Sequence, residues 1–224
     1  MKKEFNIEIY EGHCMIIDGD RKMLVDTGSP MTISNSDFTF LGKETQSVKT
    51  FQGITLDSIS ELMGYKITQL IGVDVLSQYD ILFDYPSEKI TFYEQFKPES
   101  DYNAIAFTSM MKVPKIKLEI DGGTFDFIID TGAKLSYADH DLVNGTPTVG
   151  KVNDYHPLIG QFVVDTYSKD FKVGDLSIKG LFGTLPPTLQ PLMSLTQSKG
   201  FIGYDLFKGN QVYLCYSSQK IYLR

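Results

Sequence analysis

"MLVDTG" at residues 23–28 and "FIIDTG" at residues 127–132 share one oddity. In each, three apolar residues run straight into Asp-Thr-Gly. The apolar run reads as a buried strand. A carboxylate at the end of such a strand is unfavourable unless something holds it. One copy could be a strand-ending turn, since Asp and Gly are common turn formers. Two copies, 104 positions apart and each behind an apolar run, ask for a common cause.

A second repeat surrounds the first. "LIGVDVLSQYDILFDYPSEKITF" (70–92) aligns without a gap on "FIGYDLFKGNQVYLCYSSQKIYL" (201–223), at a constant offset of 131. Ile71/Ile202, Gly72/Gly203, Asp74/Asp205, Tyr85/Tyr216, Ser87/Ser218, Lys89/Lys220 and Ile90/Ile221 are identical. The chain therefore reads twice: hairpin, Asp-Thr-Gly, variable segment, apolar-apolar-Gly, hairpin. The polar stretch "EQFKPESDYN" (94–103), which carries a proline, is the natural divide. The expected organisation is an N-terminal lobe over 1–98 and a C-terminal lobe over 99–224. The second half is the more elaborate, because Asp130 and Gly203 lie 27 positions further apart than Asp26 and Gly72.

Strand patterns dominate both halves. "HCMIIDGDRKMLVD" and "KIKLEIDGGTFDFIID" are paired apolar runs around Asp-Gly turns. "DILFDYPSEKITFYE" and "NQVYLCYSSQKIYL" repeat that plan. Helical signals are short: 57–63, 74–79, and 188–195, where a proline is expected to interrupt the helix. This is an all-β pattern with short helices. The 224 residues suffice for two lobes of about 100 each. A net charge of −7 and no basic run argue against a nucleic-acid or anionic-membrane partner. No apolar stretch has the length of a membrane-spanning helix. "MKKEFNIEIYEG" has no apolar signal core, so a cytoplasmic location is expected. Cys14 and Cys215 read as two buried thiols rather than a disulfide framework. His13, His140 and His156 are scattered, and no phosphate loop or metal-ligand spacing occurs. No metal or other cofactor is expected.

The two strand-end carboxylates suggest a specific chemistry. Related by a pseudo-two-fold axis, they can face one another. Like charges that close cannot both ionise, so the pair shares a proton. The ionised member can take a proton from water while the other donates one to a carbonyl oxygen. That hydrolyses an amide without a covalent intermediate.

Asp26-Thr27-Gly28-Ser29 and Asp130-Thr131-Gly132-Ala133, each followed by apolar-apolar-Gly ("LIG" 70–72, "FIG" 201–203), resemble the aspartic proteases. The resemblance covers nearly the whole chain. It implies two pseudo-symmetric retropepsin-like β-barrel lobes fused as in the pepsin-like acid protease fold, and an aspartic-type endopeptidase. It also implies that Asp26 and Asp130 are the catalytic pair and that Thr27 and Thr131 bond across to the opposite lobe. Gly28 and Gly132 would let backbone approach the carboxylates, and Gly72 and Gly203 would close a ψ-shaped loop under each Asp. Ser29 would supply a hydroxyl to Asp26 that Ala133 cannot supply to Asp130, so Asp130 is expected to hold the shared proton more of the time. One chain supplies both aspartates, so the resemblance implies a monomer acting on an extended polypeptide.

Members of that family close a hairpin flap over the substrate, with a Tyr in the first-lobe flap of the pepsin-like enzymes. No Tyr lies between Asp26 and Tyr65 here. The first half offers only Phe51-Gln52-Gly53 as a tip, and the second offers Tyr155, His156 and Gly160 in "VNDYHPLIGQFVV". Each segment reads either as a flap or as a surface loop. The short first-half segment also leaves open a protease-fold module that grips extended peptide by main-chain pairing without cutting it.

Overall fold

The computed structural model describes residues 2–98 and 104–224. The expected divide falls beside residues 99–103, which lie outside the described residues. The first half contains β1 (Lys2–Tyr10), β2 (His13–Asp18), β3 (Arg21–Val25), β4 (Ile33–Ser34), β5 (Phe38–Phe40), β6 (Lys43–Thr45), β7 (Gln69–Ile71), β8 (Asp80–Asp84) and β9 (Lys89–Tyr93), with helices α1 (Leu56–Met63) and α2 (Val73–Leu76). The second contains β10 (Ala104–Ala106), β11 (Thr108–Met110), β12 (Val113–Ile120), β13 (Gly123–Ile129), β14 (Ser136–Ala138), β15 (Thr148–His156), β16 (Gly160–Val173), β17 (Leu176–Gly183), β18 (Gly200–Ile202), β19 (Gln211–Cys215) and β20 (Lys220–Leu223), with α3 (His140–Val143), α4 (Gln190–Thr196) and α5 (Tyr204–Phe207). Strands hold 51% of the chain and helices 12%, which makes the fold all-β.

Alternation explains the half-buried strands. In β12, Ile116, Leu118 and Ile120 point inward while Lys117 and Glu119 face water. The hairpins that the sequence announces all form. Asp121-Gly122 turns β12 into β13 with both residues left-handed, at φ 51° and 81°, the geometry that matches strand twist. The expected interruption of 188–195 is corrected. Pro191 sits in the first turn of α4, where a missing N–H breaks no helical hydrogen bond.

Two features of the topology build the site. The apolar-apolar-Gly strands insert between the strands around each Asp-Thr-Gly. β7 lies parallel to β3 and antiparallel to β4, and β18 lies parallel to β13 and antiparallel to β14. Each motif is thereby clamped at a crossing of chains. The two halves also share a sheet, ordered β10-β20-β19-β8-β9-β1-β2-β3-β7-β4. Where the two halves meet, β8 pairs antiparallel with β19, and Leu82 lies opposite Tyr213. Those two residues are partners in the sequence repeat, so the contact is symmetric about that pair.

The largest apolar cluster runs through both halves, from Ile16 and Phe92 to Phe127 and Leu214. Smaller clusters flank it. One gathers Met15, Leu24, Ile59 and Leu70, and the other Leu135, Tyr137, Leu189 and Met193. Cys14 and Cys215 are buried and unpaired.

One turn departs from the pattern. Met111 and Lys112 are both left-handed, at φ 49° and 69°, with no glycine between β11 and β12. A left-handed L-residue costs about 1–2 kcal/mol, and glycine gives back roughly half of that through its looser unfolded chain. Lys112→Gly should therefore stabilise the protein by about 0.5–1 kcal/mol, read as a higher urea midpoint with an unchanged slope.

Candidate active site

β3 and β13 deliver Asp26 and Asp130 to the floor of one cleft of about 330 Å³. Each motif leaves its strand in the same way. Asp26 N–H donates to Ile71 O and Asp130 N–H to Ile202 O, both at 3.0 Å. Each carboxylate then accepts from the backbone of its own turn. Gly28 N–H reaches Asp26 at 2.9 Å, and Gly132 N–H reaches Asp130 at 2.9 Å.

The threonines cross over. Thr27 Oγ1 donates to Ile129 O at 2.8 Å and accepts from Thr131 N–H at 3.0 Å. Thr131 Oγ1 donates to Val25 O at 2.7 Å and accepts from Thr27 N–H at 3.0 Å. Both side chains are fully buried. The glycines explain why nothing larger follows. A Cβ on Gly28 would sit 2.5 Å from the Asp130 carboxyl carbon, and one on Gly132 would sit 2.6 Å from that of Asp26. Gly72 and Gly203 are equally constrained, against Met31 at 2.6 Å and Ala133 O at 2.4 Å.

The two carboxylates are neighbours across the boundary, each packed against the glycine of the opposite motif, and each feels the other. Their oxygens open partly onto the cleft, but the surrounding protein strips away most hydration. Burial therefore raises both above the ordinary carboxylate range, and the charge of Asp26 raises Asp130 further. Backbone donors from Ser29 and Gly28 oppose the rise at Asp26. The pair retains one proton where isolated carboxyls have lost theirs.

One expectation is overturned. The Ser29 hydroxyl does not serve Asp26; it donates to Met31 O at 2.9 Å, while Ser29 N–H donates to Asp26 at 2.9 Å. The backbone amides of Gly28 and Ser29 supply the donors to that carboxylate instead, both to the same oxygen. Asp130 likewise draws on the backbone of Gly132 and Ala133. The Ser29/Ala133 difference therefore gives no reason to place the shared proton on Asp130.

Both candidate flap segments line the cleft, and they differ in scale. Phe51 and Ile54 form a single antiparallel bridge around Gln52 and Gly53, at φ 52° and 83°. Phe51 and Gln52 reach the cleft wall. β15 and β16 form a long hairpin whose tip is Pro157, Leu158 and Ile159, with His156 paired to Gly160 at φ 81°. Tyr155 and His156 line the cleft. Tyr155 packs on the first-half cluster around Leu24 and Ile59. Its hydroxyl is raised by burial, then by the charges of Asp154 and Asp26.

The cleft walls are apolar on both sides. Leu24, Ile33, Ile54 and Leu70 come from the first half, and Val113, Ile128, Leu189 and Phe201 from the second. Met111 and Leu195 stand 70% and 72% exposed at its mouth. Among the cleft residues that escape a reading of the sequence are His13, Lys134 and Asp154. Nothing in local spacing marks them, because only the folded chain brings residue 13 beside residue 155.

No protein-family profile matches the chain, and no curated protein matches its sequence. Solved structures do match. An aspartic proteinase from Irpex lacteus superposes with a TM-score of 0.51 at 12% identity, covering 100% of this chain and 97% of its own. A simian foamy virus (mac) protease, solved in solution, has a TM-score of 0.32 at 15% identity, covering 41% of this chain and 90% of its own. The full-length superposition places the chain in the pepsin-like aspartic protease fold.

The threonine crossing should be testable by stability. Thr27→Val keeps the volume but strands Thr131 N–H and Ile129 O. Two unsatisfied buried groups cost about 2–5 kcal/mol together, and Thr131→Val should cost as much by symmetry. Ser29→Ala, in contrast, should lower stability by no more than about 1 kcal/mol and leave any pH–rate profile unmoved. Chemical denaturation of the three variants measures the difference.

Proposed function

We propose that this chain is an aspartic endopeptidase, acting as a monomer on extended polypeptide. One observation carries the reading: two carboxylates, one from each half, side by side at the floor of a single cleft with the opposite half's glycine against each. Holding two acids together in a poorly hydrated place is unfavourable and serves no purpose in binding alone. It has a purpose in hydrolysis.

The steps follow from the shared proton. The ionised carboxylate takes a proton from a water, and the oxygen attacks the peptide carbonyl carbon. The protonated carboxyl gives its proton to the carbonyl oxygen, forming a gem-diol. The diol then returns a proton to one carboxylate, the amide nitrogen gains one, and the carbon–nitrogen bond breaks. The dyad ends with one proton, as it began. Fixed backbone donors from Gly28 and Gly132 hold both carboxylates in place throughout, so little reorganisation is needed. The apolar walls suit bulky apolar side chains on either side of the cut bond. The β15–β16 hairpin serves as the main flap, and the Phe51–Ile54 turn as a smaller lip opposite it.

A peptide-library digest across about pH 3 to 8 should yield cleavages flanked by apolar residues, inhibited by the statine-type mimic pepstatin. Asp26→Asn and Asp130→Asn should each lower kcat by at least about a thousandfold, because the two groups act as a unit. Retention of most activity in either variant sinks the mechanism. Pepstatin binding without any cleavage would favour the non-cutting peptide binder.

The same variants carry a stability signature. Both carboxyls are raised above their unfolded value of 3.8. The folded state therefore favours their protonated form. That contribution is complete below the ordinary carboxylate range and is lost as pH rises through the raised one. Asp130→Asn should melt several degrees above the parent at pH 7, and the gain should vanish as pH falls below about 4. Thermal melts over pH measure it.

A further inference from the structure

The hairpin that covers the cleft belongs to the second half, yet its tip region is anchored to the first. Two neighbouring residues of β15 carry the anchors, on opposite faces of the strand. Tyr155 Oη lies 3.3 Å from His13 Nε2, with the rings 5.9 Å apart. Asp154 is buried, bonded to the Tyr137 hydroxyl, with Lys134 Nζ 3.9 Å away. Lys134 in turn reaches back to Glu11 at 3.3 Å. Glu11 and Gly12 form the turn between β1 and β2, and His13 opens β2 directly after it. That turn presses close to the second half: a Cβ on Gly12 would lie 3.2 Å from Lys134 Cα.

His13 is the unusual member. It is 2% exposed, far below what a surface histidine shows. Burial lowers its pKa to about 4, so the ring is neutral over most of the working range. A neutral ring accepts at one nitrogen only. Tyr155 O–H donating to Nε2 requires the proton on Nδ1. Nδ1 is buried and has no partner of hydrogen-bonding geometry, while the Gly132 backbone lies near enough to favour the ring's charged form. The imidazole thus sits between the Asp130 loop and the hairpin. A buried polar group left half satisfied is unfavourable, and it is retained here at the contact between flap and floor.

We propose that His13 is a positioning residue that latches the β15–β16 hairpin across the cleft, holding Tyr155 beside the two carboxylates. The Glu11–Lys134–Asp154 chain is the second arm of the latch, fixing the opposite face of the same strand. With the latch made, the tip closes over bound peptide. With it broken, the hairpin leaves the dyad while the sheets beneath stay intact. The effect on hydrolysis rests on the protease reading; the effect on the hairpin does not.

The test uses amide hydrogen exchange and kinetics on the same variants. His13→Phe keeps the ring volume and removes Nε2. Tyr155→Phe keeps the ring and removes the hydroxyl at a half-buried hairpin position, where folding is undisturbed. His13→Gln restores an acceptor near the Nε2 position. Exchange over residues 152–162 should quicken about five- to tenfold in His13→Phe and in Tyr155→Phe, as expected for one lost hydrogen bond. The double variant should be no faster than either alone, and His13→Gln should return most of the protection. Exchange in β3, β7, β13 and β18 should not change. Where peptide is cleaved, kcat/KM should fall in parallel by a similar factor, again without adding in the double variant. Unchanged exchange at the tip in both single variants, or effects that multiply, would overturn the latch. Faster tip exchange in a protein that cleaves nothing would leave the latch standing and remove the protease reading instead.

Discussion

Four hydrogen bonds made by Thr27 and Thr131, two between them and two to the carbonyls of Ile129 and Val25, constrain everything else in this molecule. Each hydroxyl both donates and accepts across the boundary between halves, so neither threonine can be satisfied within its own half. The bonds are reciprocal, which forces a two-fold relation on the strands that carry them. Leu82 and Tyr213, opposite one another where β8 meets β19, mark a second symmetric contact. Two such contacts define an axis. Once both are made, the carboxylates one residue before each threonine have no choice but to meet.

That meeting is unfavourable in itself, and the surrounding structure is arranged to hold it. The ψ-shaped crossings of β3, β7 and β4, and of β13, β18 and β14, fix the backbone that supplies the donors. Four glycines occupy positions where any Cβ would lie within 2.6 Å of a neighbour. The rigidity has a consequence for the proton, because a dyad that could relax apart would simply ionise twice. Holding the carboxylates together keeps the shared proton, and with it both an acid and a base at one pH.

Much of this was legible in the sequence. The paired apolar runs, Asp-Gly turns and the two repeats give the hairpins, the all-β class and the pairing of the two motifs, since those depend on local pattern. Other features depended on backbone detail that residue identity does not carry. Ser29 was expected to bond Asp26 through its hydroxyl, and does so through its amide instead. Pro191 opens α4 rather than breaking it. His13 was only one of three scattered histidines, and its partner lies 142 positions away. Contacts made only by tertiary approach leave no periodicity to read.

The symmetry of the floor raises a question that the cleft walls answer. A perfectly two-fold dyad cannot distinguish its acid from its base, nor one end of a peptide from the other. The turns at the two ends of the cleft are equivalent hairpins: Tyr10 pairs with His13, and Met110 with Val113. At the first, His13 is buried beneath the long hairpin. At the second, Met111 stands 70% exposed. The difference arises from the longer interval between Asp130 and Gly203, which contains the whole β15–β16 hairpin. The short interval in the first half has room only for the Phe51–Ile54 bridge. One end is therefore covered and the other open, and Tyr155 approaches the dyad from one side. The chain keeps its symmetric part where the shared proton requires it and places its asymmetry in the segment that covers the cleft.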